Sequence, residues 1–145
     1  MITIRKFKAE DAQKAAELER LCFSRPWSEE ELSASASYPY AVYLTALCGE
    51  EIAGYAGAYI AADVAEINNI AVFPEYRRRG VGSALIDALV SECVSRGVKK
   101  LSLDVRRSNA AAIALYEKKG FCRVGIRRGY YAAPKEDAVL LDKDI

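Results

Sequence analysis

The sequence predicts an α+β fold, a twisted and mostly antiparallel mixed sheet flanked by about four helices. Three observations predict it. Residues 41–47 and 52–61 read as strands separated by the turn Gly49-Glu50, a hairpin signature. Residues 9–23 and 81–96 place apolar side chains at steps of three and four, the spacing of helices packed on a sheet. The chain has 145 residues, 52% hydrophobic and 28% charged, which fits one domain over 1–145 with a full core and argues against disorder.

The elements follow in order. Ile2, Ile4 and Phe7 suggest a short first strand. Ala12, Ala15, Ala16, Leu18, Leu21 and Cys22 repeat at helical spacing, and Glu10 and Asp11 favour that helix's start. Pro26 breaks the pattern. Ser28 with Glu31 forms a capping box that opens a short helix through Leu32. The hairpin follows, and 65–73 gives a further strand ended by Pro74. Val81, Ala84, Leu85, Ala88, Leu89 and Cys93 mark the clearest helix, stopped by Gly97. Residues 100–105 alternate as a strand. Asn109 caps a helix that runs to Lys119 and stops at Gly120. Residues 121–131 and 138–141 are the last two strands.

Composition excludes several kinds of chemistry. The chain has no histidine, so a Ser-His-Asp triad, a Cys-His dyad and an HExxH zinc site are all ruled out. Acid–base work must fall to Asp, Glu, Tyr, Cys, Lys or the backbone. Lys+Arg is 21 and Asp+Glu is 20, a near-balance that argues against a general nucleic-acid or membrane-surface binder. Cys22, Cys48, Cys93 and Cys122 form no CxxC pair and sit among apolar residues, as buried thiols of a reducing cytoplasm would. No metal is expected. The N-terminus has no signal-peptide pattern, and no apolar run approaches the length of about 20 that spans a bilayer.

One stretch carries chemistry. After the 65–73 strand, Arg77, Arg78 and Arg79 lead through Gly80, Val81 and Gly82 into a helix. Such a turn gathers backbone N–H groups at the positive end of a helix dipole, which makes an anion cradle. Gly80 and Gly82 are expected to let the backbone turn and phosphate oxygens approach. The Walker pattern would need a Lys after Gly82, where Ser83 stands, and the dinucleotide fingerprint would need a third glycine where Leu85 stands. A basic turn that only caps a helix is the bland alternative. Three arginines directly before the glycines favour phosphate.

Arg77-Arg-Arg-Gly-Val-Gly82 resembles the R/Q-x-x-G-x-G/A signature of GNAT acetyltransferases, which holds the pyrophosphate of acetyl-CoA. Phe23-Ser-Arg-Pro-Trp-Ser28, Asn69-Ile-Ala-Val72, Ser108-Asn-Ala-Ala-Ala-Ile-Ala-Leu-Tyr116, Lys119-Gly-Phe121 and Ile126-Arg-Arg-Gly-Tyr-Tyr131 extend the likeness to the RimI-type N-terminal acetyltransferases. Those enzymes acetylate the terminal alanine of a small-subunit ribosomal protein. The resemblance covers nearly the whole chain. It implies a GNAT fold whose sheet splays open between the strands ending near Val72 and Val105, with acetyl-CoA in the splay. Ile70, Ala71 and Val72 would offer backbone groups to the pantetheine arm. Arg77, Arg78, Arg79, Gly80, Val81, Gly82 and Ser83 would hold the pyrophosphate. Asn109 would touch the cofactor as well as cap its helix. Tyr116 would protonate the departing thiolate, where it could otherwise be a core aromatic. Trp27, Tyr130 and Tyr131 would wall a peptide slot.

The sequence departs from the family at the general base. Close relatives carry Glu on the strand before the Ser-Asn block, and here that place is Asp104, one methylene shorter. A misplacement of about 1 Å costs on the order of 100-fold for a group acting directly. Asp104 is therefore expected to act through a water, or with Glu66 on the neighbouring strand; pairing with Arg106 or Arg107 is the structural alternative. A weak base suits a weakly held proton. Freeing an α-amine at pH 7 costs roughly 1 kcal/mol, whereas freeing a lysine costs roughly 4.6 kcal/mol. That favours a protein N-terminus, met in the cytoplasm, as acceptor. A small-molecule amine acetyltransferase and a non-catalytic acyl-CoA-binding module are the rival readings.

Overall fold

Runs rich in aliphatic and aromatic residues form seven strands, and every strand joins one sheet. The computed structural model describes residues 1–145. The strands are β1 (Ile2–Lys6), β2 (Ala41–Cys48), β3 (Glu51–Ala61), β4 (Val64–Val72), β5 (Lys100–Arg106), β6 (Cys122–Ala132) and β7 (Lys135–Asp144). Their spatial order is β1-β2-β3-β4-β5-β7-β6. All neighbours run antiparallel except β4 and β5.

Four helices cover the sheet: α1 (Ala12–Cys22), α2 (Glu29–Ser37), α3 (Val81–Ser95) and α4 (Ala110–Lys118). Helices α3 and α4 pack Leu85, Leu89, Ile113 and Tyr116 against Leu101 and Leu103 of β5 in a cluster of 22 buried residues. Helices α1 and α2 pack Leu18 and Leu32 against Tyr43, Tyr55 and Phe73 in a second cluster of 11. Truncating a fully buried residue such as Leu85 to Ala would cost about 2–5 kcal/mol. On β3, a Cβ at Gly57 would lie 2.5 Å from the Tyr43 ring, so glycine makes room for that aromatic. One buried charge fastens the edge. Asp11 accepts from Arg5 at 2.7 Å, from the Lys8 N–H at 2.8 Å and from Thr45 at 2.8 Å. Burial alone would push its carboxyl up, but these bonds and the Arg5 charge hold it below the usual carboxylate value.

The expected elements are present, with three differences. Helix α2 continues past Leu32 to Ser37, because Leu32 and Ser35 are both buried and anchor a tail that has no apolar periodicity of its own. Strand β7 extends well beyond 138–141, since its polar ends still pair with β5 and β6. Strand β6 is bulged: three residues, 128–130, face Asp137 alone where the ladder shifts.

Candidate active site

The cleft begins where two strands part. Strands β4 and β5 pair only at Val64 with Lys100, Ala65 with Leu101 and Glu66 with Ser102. Asn68 is an extra residue in β4, between Ile67, which pairs with Ala58, and Asn69, which pairs with Gly57. A bulge raises the local twist, and asparagine is a poor strand former. The segment from Asn69 to Val72 therefore stays on β3 and leaves β5. Its backbone groups toward β5 have no ladder partner. Ile70 and Val72 pack on the α3 side, while Ala71 is buried with the α1 and α2 cluster. The Val72 carbonyl accepts from Arg77 Nε at 3.1 Å.

The arginine loop lies at the mouth of this cleft. A short 3-10 turn over Pro74–Tyr76 leads to Arg78 at φ +62° and Gly80 at φ +84°, two left-handed residues before α3. Gly80 suits that backbone; Arg78 is strained in it. Helix α3 has no side-chain cap and no acidic residue in its first turn, unlike α2 and α4, which Ser28 and Asn109 cap. Its first N–H groups, those of Val81, Gly82 and Ser83, are therefore bare beside exposed Arg78 and Arg79. Arg79 rests over the Tyr76 ring at 5.7 Å. Arg77 and Gly82 each make a contact that spacing did not suggest. Arg77 is turned away from the loop, donating to Val72 and, at 3.4 Å, to Cys22 Sγ. A Cβ at Gly82 would meet Leu115 Cδ2 at 3.1 Å and Val72 Cγ2 at 3.9 Å, so its missing side chain also serves the packing of α3 on α4 and β4.

Asp104, Tyr131 and Tyr116 lie in succession. Asp104 alternates with buried Leu103 and Val105, so its half-buried side chain is on the face opposite α3. It forms no ion pair: Arg106 binds Glu136 at 3.2 Å and Arg107 binds Asp137 at 3.7 Å. The structural alternative for Asp104 is thereby removed. Burial, then the Asp104 charge, pushes the Tyr131 phenol up to about 12. Burial, then Tyr131, likewise raises the Tyr116 phenol. Tyr116 is 8% exposed and meets the Phe121 ring edge-on at 5.4 Å. Its hydroxyl makes no hydrogen bond within the protein. No fully buried side-chain oxygen lacks a partner, so that hydroxyl reaches accessible surface. Glu66 shares Asp104's face but is exposed and stands at the last closed rung, opposite Tyr59 and Ser102. Two residues of rise and one interstrand spacing separate the Cα atoms of Glu66 and Asp104 by about 8 Å.

Of the aromatic residues of the expected slot, Tyr131 lies near Asp104 and Tyr130 adjoins it. In the β6 bulge, Gly129 takes φ +60° and donates its N–H to Asp137 Oδ1 at 2.8 Å. This re-aims Tyr130 and Tyr131, whose rings meet edge-on at 5.1 Å. Arg106 stacks on Tyr131 at 4.4 Å and donates to Pro134 O at 2.9 Å and Ser24 Oγ at 3.1 Å. It therefore binds the α1–α2 loop to the β6–β7 turn. Trp27, further along that loop, is half-buried, and its backbone N–H donates to Glu19 Oε1 at 2.9 Å. Asn109 caps α4 by accepting from the Ala112 N–H at 3.2 Å, which occupies its carbonyl oxygen. Sequence reasoning missed Arg106, Asn68 and Glu19. Glu19 had a visible signal, because it sits three and four residues after Ala16 and Ala15 on the apolar face of α1. A concavity of about 600 Å³ between α4 and β6, lined by Ile113, Glu117, Arg123 and Ile126, holds none of the expected site residues.

Known proteins share this architecture. A family model described as acetyltransferase (GNAT) family matches residues 12–121. A ribosomal protein bS18-alanine N-acetyltransferase of Escherichia coli K12 is 39% identical over 143 residues, covering 97% of this chain and 96% of its own. A Mycobacterium tuberculosis N-alpha-acetyltransferase, RimI, is 36% identical, covering 99% and 92%. The crystal structure of the Escherichia coli ribosomal-protein-S18-alanine N-acetyltransferase superposes with a TM-score of 0.91 at 37% identity, over 100% of this chain and 94% of that one.

Proposed function

The chain belongs to the acetyltransferase (GNAT) family, and from that premise we propose that it transfers acetyl from acetyl-CoA to the N-terminal α-amine of a protein. The acceptor that fits best is the alanine terminus of ribosomal protein bS18, the substrate named for its relatives, met in the cytoplasm. Residues 1–145 act as one domain in this reading. The single observation that carries it is the parting of β4 from β5 between an uncapped, arginine-flanked helix start and an unpaired carboxylate.

The residues fit an acyl-CoA donor. Bare N–H groups of α3 with Arg78 and Arg79 suit its pyrophosphate, each charge-assisted bond contributing about 1.5–3 kcal/mol. The open edge from Ile70 to Val72 suits its amide-bearing arm, as an added strand would. The donor supplies the acetyl group; the chain's residues orient it and move protons. Trp27, Tyr130 and Tyr131 hold the peptide end. Asp104, through a water shared with Glu66, takes a proton from the ammonium, and the free amine attacks the thioester carbon. The C–N bond forms as the C–S bond breaks, Tyr116 gives its proton to the departing sulfur, and the second proton that the nitrogen sheds on becoming an amide restores the Tyr116 hydroxyl through water. Burial keeps that phenol protonated at neutral pH and also raises the proton affinity of the thiolate beside it. No covalent enzyme intermediate is needed.

Release of free thiol from acetyl-CoA tests this reading. It should depend on a peptide with a free alanine terminus and stop when that terminus is already acetylated. Acetyl-CoA binding without thiol release would favour a binding module. Release driven equally by simple amines would favour a small-molecule enzyme.

A further inference from the structure

We propose that Glu19 is a positioning residue that sets the acceptor slot by holding the Trp27 turn at a fixed distance from the β4 segment flanking the bulge. Glu19 belongs to α1, is 1% exposed, and has no cation partner. Its two carboxylate oxygens serve different parts of the cleft. Oε1 accepts the Trp27 backbone N–H at 2.9 Å. Oε2 accepts the Tyr55 hydroxyl at 2.5 Å. That hydroxyl in turn accepts from Asn69 Nδ2 at 3.0 Å. Asn69 immediately precedes Ile70, at the start of the open β4 edge. A continuous chain of hydrogen bonds thus runs from the acceptor loop, through one carboxylate, to the strand proposed for the acyl arm.

The chemistry explains why a carboxylate occupies this place. Both neighbours are donors, so the bridging group must accept twice, and only an ionised carboxyl does so with both oxygens. Burial pushes the Glu19 carboxyl up, while the Trp27 N–H and the Tyr55 hydroxyl hold part of that rise back. An apolar residue here would leave the Trp27 N–H and the Tyr55 hydroxyl unpaired. The inference rests on the acceptor slot proposed above, and it adds a residue that touches neither substrate.

Trp27 is the protein's only tryptophan, so emission reports this one side chain. Glu19→Gln keeps the size but offers one accepting oxygen to two donors. With an alanine-terminated hexapeptide as probe, peptide KM should rise about tenfold. Acetyl-CoA Kd by calorimetry should stay within about twofold, and acrylamide quenching of Trp27 should rise about twofold. Tyr55→Phe, a milder change that removes only the donor to Oε2, should shift KM and quenching in the same direction by about threefold or less. Unchanged quenching and KM in either folded variant would overturn the proposal. A parallel loss of acetyl-CoA affinity would also overturn it, since Glu19 would then only hold the fold. The quenching arm uses no substrate and judges Glu19 alone. Failure of the unaltered protein to acetylate the hexapeptide would count instead against the function reading.

Discussion

Replacing Asp104 and Glu66, singly and together, probes how the proposed site frees the acceptor amine. Asp104 is half-buried, unpaired and beside Tyr131, whereas Glu66 is exposed at the closed end of the cleft. Their Cα atoms are about 8 Å apart, too far for one carboxylate to do the other's work directly, and the water proposed above is shared between them. A general base contributes about 100- to 10,000-fold. Asp104→Asn should therefore cost about 10- to 100-fold in kcat/KM, Glu66→Gln less than about tenfold, and the double change at least about 100-fold. An α-amine is roughly one-tenth neutral at pH 7 and almost wholly neutral at pH 9, so alkali should restore about tenfold to the double variant. Asp104→Glu should retain activity, because no ion pair confines the side chain. Thiol release measured from pH 6 to 9.5 gives each profile. If Asp104→Asn alone removes all activity and pH 9 restores none, the shared water is wrong.

Tyr116→Phe keeps the contact with Phe121 and removes the acid; kcat should fall roughly 100-fold with acetyl-CoA Kd unchanged by calorimetry. Arg78→Ala with Arg79→Ala should weaken acetyl-CoA at least tenfold and flatten the salt dependence of its binding. Asp104→Asn should bring the Tyr131 phenol below about 12, because the Asp104 charge is part of what raises it; carbon-13 NMR of the tyrosine ring across alkaline pH reads the change. Asp11 has its folded value below the usual 3.8, so its stabilisation is present above that value and lost as pH falls through the folded one. Asp11→Asn should lower stability by about 2 kcal/mol at pH 7 and much less near pH 3, by urea unfolding at both.

The local patterns were legible where they were strong. The Gly49-Glu50 hairpin, the apolar stripe of α3 and the arginine loop before it all lie where spacing and turn chemistry put them. The parting of β4 and β5 was implied by family likeness, not by periodicity; its local cause, one extra asparagine in β4, carries no period that a strand pattern would reveal. The polar ends of β7 and the serine-rich tail of α2 are held by tertiary pairing and burial, which local propensity does not encode. Gly82 reads as a phosphate-loop glycine in sequence, and its open side also faces Leu115, a neighbour 33 positions away. Glu19 and Arg106 act by linking distant segments, so their partners were invisible until the chain was folded.

The central claim is transfer to an α-amine rather than to a side chain. It is tested most directly on one peptide that begins with a free alanine and carries an internal lysine, incubated with the protein and acetyl-CoA and mapped by fragment mass. The difference between freeing the two amines, roughly 3.6 kcal/mol at pH 7, predicts acetyl on the alanine nitrogen in excess of several hundred to one. Acetyl found mainly on the lysine, or on neither amine, would contradict it.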